Sequence, residues 1–157
     1  MKYDVVIAGA GPTGISAALE AARSGAKTAL IERYGCVGGN LTMGYVGPIL
    51  GSVCAGTIAE EIEDAVCAER GVCPDFEKAK IAMTEKLDEA GVDVFLQTVV
   101  TGVKKDRTHL CSVETHGKFG MLEFEADVFI DATGAGDNSS MLPLSFKMSI
   151  GRCPFLF

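Results

Sequence analysis

The chain has 157 residues, 48% of them apolar, with 19 glycines, no Trp and a formal net charge of −7. That length suits one domain with a real core, and the glycine content favours a turn-rich α/β domain over a helical bundle. The acidic balance argues against a nucleic-acid surface, since Lys104, Lys105 and Arg107 make only a short basic run, and no stretch approaches the ~20 apolar residues of a membrane span.

In chain order, MKYDVVIAGAG reads as a buried strand over residues 3–8 rather than a signal peptide, because glycines break its apolar run. A helix is expected over 13–24, with Ile15, Ala18, Leu19 and Ala22 on one face and Gly25 as its stop. A second strand over 27–31 completes a βαβ unit in about thirty residues. Residues 35–56 read as glycine-rich loop with short helical pieces. A helix over 57–70 follows, with Ile58, Ile62, Ala65 and Val66 in period. Pro74 and Asp75 open another, with Phe76, Ala79, Met83, Leu87 and Ala90 on its buried face and Gly91 at its end. Five short strands are predicted over 92–96, 99–103, 109–115, 121–125 and 128–131, with a turn inside ETHGKFG. The predicted fold class is therefore α/β, a parallel sheet with helices plus an inserted β-meander, in one domain.

The spacing Gly9-x-Gly11-x-x-Gly14 falls between the first strand and the first helix, the context in which it carries meaning. Gly9 lets the chain turn sharply, Gly11 lets a phosphate approach the backbone, and Gly14 lets the helix pack close to the strand. The helix N-terminus offers unpaired N–H groups and partial positive charge to a diphosphate. Glu32, at the end of the second strand, can accept both ribose hydroxyls of an adenosine and would repel a 2′-phosphate, which disfavours NADP. Together these features point to dinucleotide binding.

The six cysteines (Cys36, Cys54, Cys67, Cys73, Cys111 and Cys153) show no CxxC pair and no His at ligand spacing. Neither a zinc site nor a disulfide framework is expected, and reduced thiols in a cytoplasm are the default. Cys36, which precedes the Gly38–Gly39 pair, is the most interesting thiol, yet it and Cys54 lack a second cysteine at redox spacing and Cys36 reads better as a packing residue. His109 and His116 read as exposed strand residues, and Asp131 as a structural cap. No catalytic residue is named.

Three segments carry a resemblance: IERYGCVGGNLTMG, PDFEKAKIAMTEKLDEAGVDVFLQTVVTGV and VFIDATGAGD. They resemble the FAD-dependent oxidoreductases, glutathione-reductase-like flavoproteins with a Rossmann-like FAD/NAD(P)-binding fold. The resemblance implies FAD as cofactor. It places Gly9, Gly11, Pro12 and Gly14 at the diphosphate, Glu32 on the adenosine ribose and Arg33 along the adenine. Gly38, Gly39 and Asn40 would line the path toward the flavin. Val99 or Val100 would meet the adenine through backbone groups, and Thr133 and Gly134 would approach the diphosphate from the other side.

Members of that family are longer, so residues 1–157 are read as a single FAD-binding domain lacking the C-terminal part of the family fold. Asp137 is not given the ribityl role, and the apolar residues 154–157 suit either this core or a partner. The expected function is a FAD-dependent oxidoreductase, or the FAD-binding portion of one, acting on a small molecule of unread identity. A truncated, non-catalytic nucleotide-binding module and an NAD-binding dehydrogenase domain stand as alternatives. No membrane or nucleic-acid partner is expected, and a second copy or a partner chain completing the site is left open.

Overall fold

A computed structural model describes residues 1–49, 51, 53–67, 75–107, 109–134 and 136. Strand β1 (Lys2–Ala8) leads through the glycine loop into helix α1 (Pro12–Arg23) and strand β2 (Thr28–Ile31). A single 3-10 turn, Gly39–Leu41, interrupts the following loop before helices α2 (Ile58–Val66) and α3 (Phe76–Glu89). Four strands complete the order: β3 (Asp93–Phe95), β4 (Thr98–Asp106), β5 (His109–Gly117) and β6 (Gly120–Asp131).

Local signals account for the helix ends. Pro12 occupies the first turn of α1, where its missing N–H costs nothing. Thr57 caps α2 by accepting from the Glu60 N–H, and Asp75 caps α3 by accepting from the Glu77 and Lys78 N–H groups. Gly25 and Gly91 take φ of +90° and +74° just past α1 and α3, the left-handed conformation that ends a helix. The helix expected over 57–70 is described as far as Val66. Residues 68–70, with Pro74, Cys73, Asp137, Cys153 and residues 154–157, lie outside the described residues.

The strands form one six-stranded sheet in the order β3-β2-β1-β6-β5-β4. The neighbours β3, β2, β1 and β6 run parallel, whereas β6, β5 and β4 form an antiparallel meander. The two strands predicted over 121–125 and 128–131 are a single strand. Glu125 pairs with Ser112 of the meander and with Lys2 of the parallel sheet, so β6 runs from one into the other without a turn. The acidic EFEAD stretch is a period-2 pattern: Phe124 and Ala126 are buried while Glu123, Glu125 and Asp127 face solvent.

Each face of the sheet has its own core. The three helices cover one face, where Ile7, Ile15, Leu19, Leu30, Met83 and Leu87 pack together. On the other face the meander folds back over the parallel strands, bringing Val100, Val113 and Phe124 against Tyr3, Ala29 and Ile31. Tyr3 anchors this second core, its hydroxyl donating to Asp93 Oδ2 at 2.9 Å. Burial, together with that hydrogen bond, pushes the phenol up to about 12. Among the described residues no helix is long and apolar enough to cross a membrane.

Glu61 of α2 ties the three helices together. Its carboxylate accepts from Arg23 of α1 at 2.7 and 2.8 Å and from Lys86 of α3 at 2.8 Å. The hydrogen bonds from Arg23, then Lys86, lower its pKa from 4.5 to about 2. A lowered folded-state pKa stabilises the fold above the unfolded value and ceases to do so as the carboxylate protonates. The side chain is 35% exposed, so solvent screening reduces the effect. Glu61→Gln is expected to cost roughly 1 kcal/mol in urea denaturation at neutral pH. The gap between parent and variant should close as pH falls from 4.5 toward about 2. A gap independent of pH would mean the loss lies in packing and not in charge.

Candidate functional site: a cleft at the carboxyl ends of the parallel strands

A cavity of about 530 Å³ opens where β1 and β2 end, bounded by the glycine loop, residues 31–34, the turn at Gly39–Leu41, the start of β4 and residues 132–134. This is the crevice in which open α/β sheets bind ligands, and the volume suits a small-molecule cofactor.

The three glycines of the opening motif have different physical roles. Gly9 has φ of +96°, and a Cβ there would come within 2.7 Å of the Ala132 carbonyl carbon and 2.9 Å of Thr133 Cα. A Cβ on Gly14 would overlap the Gly9 carbonyl oxygen. These two glycines let α1 and the end of β6 crowd onto the same turn. Gly11 has φ of −72°, which any residue can adopt, and a Cβ on it would meet nothing within 4 Å. No protein atom requires glycine at this position. The space it leaves open belongs to the cavity, beside an α1 N-terminus that no side chain caps. Bare N–H groups, a partial positive charge and room for an approaching group are what a diphosphate needs.

Glu32 is 5% exposed, and both carboxylate oxygens are engaged. The Ala10 N–H donates to Oε2 at 2.7 Å and the Tyr34 N–H donates to Oε1 at 2.8 Å. Each oxygen keeps further acceptor capacity, so the carboxylate can hold these N–H groups and accept from ribose hydroxyls at the cavity edge. Arg33 and Tyr34 continue the wall, with the Arg33 guanidinium carbon 4.7 Å from the Tyr34 ring centroid.

Gly9, Gly11, Pro12, Glu32, Arg33, Gly39, Asn40, Val99, Val100, Thr133 and Gly134 all line the cavity. The Val100 side chain is buried in the second core, so its backbone is the part available to a ligand, while Val99 is 46% exposed. Gly14 and Gly38 stand behind the wall. Gly38, at φ +107°, donates its N–H to the Ala10 carbonyl at 2.7 Å, and a Cβ on it would press on Thr42 and Met83. Asp131 receives both the N–H and the hydroxyl of Thr133, at 3.1 and 2.7 Å, and so shapes the turn there. Cys36 is half-buried and Cys54 exposed, and His109 and His116 are exposed on β5, away from the cavity lining. Among the described residues no three His, Cys, Asp or Glu side chains group as metal ligands.

The sequence reading missed Thr13, Tyr34, Met43, Gly44 and Thr98, which also line the cavity. Thr13 and Tyr34 were within reach, since each directly adjoins a motif residue. Met43 and Gly44 come from a loop, and Thr98 from the start of β4, whose positions depend on tertiary packing.

The model of a family described as FAD dependent oxidoreductase matches residues 4–149. The chain belongs to that family. FAD is the family's cofactor, and the open space at Gly11, the bare α1 N-terminus and the Glu32 carboxylate fit its adenosine diphosphate half. The tRNA uridine 5-carboxymethylaminomethyl modification enzyme of Campylobacter hominis is 41% identical over 80 residues, covering 48% of this chain and 11% of its own length. A thiamine thiazole synthase of Methanococcus maripaludis is 28% identical over 85% of this chain and 57% of its own. Among solved structures, a flavoprotein/dehydrogenase of Cytophaga hutchinsonii superposes with a TM-score of 0.67 at 23% identity, over 94% of this chain and 44% of its own. The chain thus spans between about a tenth and just over half the length of these relatives.

Substitutions separate the two kinds of glycine. Gly14→Ala is expected to cost about 1–3 kcal/mol despite alanine's better helix propensity, because the methyl group lands on backbone. Gly11→Ala should leave stability unchanged or raise it by about 0.4–1 kcal/mol. Thermal unfolding of both variants measures the contrast, and equal losses would contradict it.

Proposed function

We propose that this chain is the FAD-binding domain of an oxidoreductase acting on a small-molecule substrate in the cytoplasm. The observation that carries the reading is the open cavity face of Gly11 beside the uncapped α1 N-terminus, with the buried Glu32 at the adjoining strand end. The α1 N-terminus and Gly11 hold the diphosphate, with Thr133 and Gly134 approaching from the opposite side. Glu32 accepts the adenosine ribose hydroxyls. Arg33 lies along the adenine, and the backbone of Val99 and Val100 meets its edge. Gly39 and Asn40 line the path toward the flavin. Gly9, Gly14 and Gly38 keep the surrounding backbone close.

When bound, FAD supplies the redox chemistry, and the protein contributes binding, orientation and electrostatics. The cavity residues given a role here act on the adenosine diphosphate half.

The decisive test is a visible absorption spectrum of the purified, desalted protein, followed by titration with FAD, ADP and NAD. Flavin absorbance or saturable uptake of FAD and ADP is the expected result. Gly11→Ala should weaken both at least about tenfold, since its methyl would occupy the phosphate's space. Adenosine 2′,5′-bisphosphate should bind far less well than AMP, because its 2′-phosphate meets the Glu32 carboxylate. A protein that takes up neither FAD nor ADP would overturn the reading, and a clear preference for NAD over FAD would favour a dehydrogenase domain.

A further inference from the structure

We propose that Tyr34 is a positioning residue for adenine recognition: its ring holds the Arg33 guanidinium as a flat platform on which the base stacks. The inference rests on the reading that the cavity takes an adenine nucleotide, and it assigns a role to a residue outside the glycine motif.

Tyr34 is the better anchored of the two. Its N–H is held by Glu32 Oε1 at 2.8 Å, and its carbonyl accepts the Gln97 N–H at 2.9 Å. The backbone of Tyr34 is thereby pinned between the end of β2 and the start of β4. The Arg33 side chain is exposed and long, and a free arginine would lose considerable rotamer entropy on ordering. The Tyr34 ring offsets part of that loss by carrying the guanidinium 4.7 Å from its centroid. Adjacent residues in an extended strand point to opposite faces, but residues 33 and 34 have left β2 and follow a bend, so both side chains reach the same wall. A guanidinium is planar and delocalised, with a second face free to stack on a base, which a lysine ammonium cannot do. The Glu32 carboxylate assigned to the ribose also pins Tyr34, so the sugar and base positions share one anchor.

The preference for ADP over UDP reads base stacking while keeping ribose and diphosphate constant. The expected result is that the parent chain prefers ADP, and that Tyr34→Phe keeps the preference because the ring remains. Tyr34→Leu and Arg33→Lys should each reduce it about three- to fivefold, and the double variant should lose no more than either alone. Where Tyr34→Leu unfolds in circular dichroism, Tyr34→Gln, which also lacks the ring and keeps the backbone hydrogen bonds of residue 34, takes its place in the test. An unchanged preference in Arg33→Lys or in folded Tyr34→Leu, or additive losses in the double variant, would overturn the inference. So would equal binding of ADP and UDP by the parent, with the nucleotide reading intact. A parent that binds neither nucleotide would remove that reading and this inference with it.

Discussion

The buried Glu32 carboxylate is the hinge of the architecture. A charge in that position is tolerable only when hydrogen-bonded, and here it is held by two backbone N–H groups from different loops. One belongs to Ala10 in the glycine loop after β1, and the other to Tyr34 beyond β2. A single side chain thus joins the two connections that form the floor of the cavity. Its surrounding backbone is tied in as well, because the Glu32 N–H donates to the Phe95 carbonyl and its own carbonyl accepts from Thr98. The carboxylate sets the local geometry and presents acceptor capacity at the place where a ribose would lie.

Around that hinge the sheet provides the frame. Parallel pairing of β2, β1 and β6 brings three carboxyl ends to one edge, and the loops leaving them enclose the cavity. Helices pack one face through a continuous apolar stripe, and the meander covers the other with Val100, Val113 and Phe124. This second covering has a functional consequence, because it carries the start of β4 to the cavity wall. A strand distant in sequence from the glycine loop thereby supplies backbone to the same cavity that Arg33 lines.

Much of this was legible in the chain. Helical periodicity identified the buried residues of α1 and α3, and capping residues and glycines marked their ends. The period-2 pattern over residues 122–127 was also present, but the charges at Glu125 and Asp127 disguised one long strand as two. Propensity reads acidic residues as turn signals, whereas the observed strand accommodates them on its solvent side. For the site, a glycine motif in a strand–turn–helix context carried the inference because its spacing follows from local backbone geometry.

What the sequence by itself determined is the βαβ unit, the glycine loop and the acid after the second strand, because all of these depend on neighbours within about thirty residues. Only the tertiary structure separated the glycines: Gly9 and Gly14 are needed where β6 and α1 crowd the turn, Gly38 where Thr42 and Met83 press, and Gly11 for no contact within the protein. It also decided that both Glu32 oxygens are engaged, and that Tyr34 and Thr98 line the same cavity. The reason is that close approach and hydrogen-bond satisfaction depend on chain segments brought together by the sheet, and spacing along one segment carries no record of them.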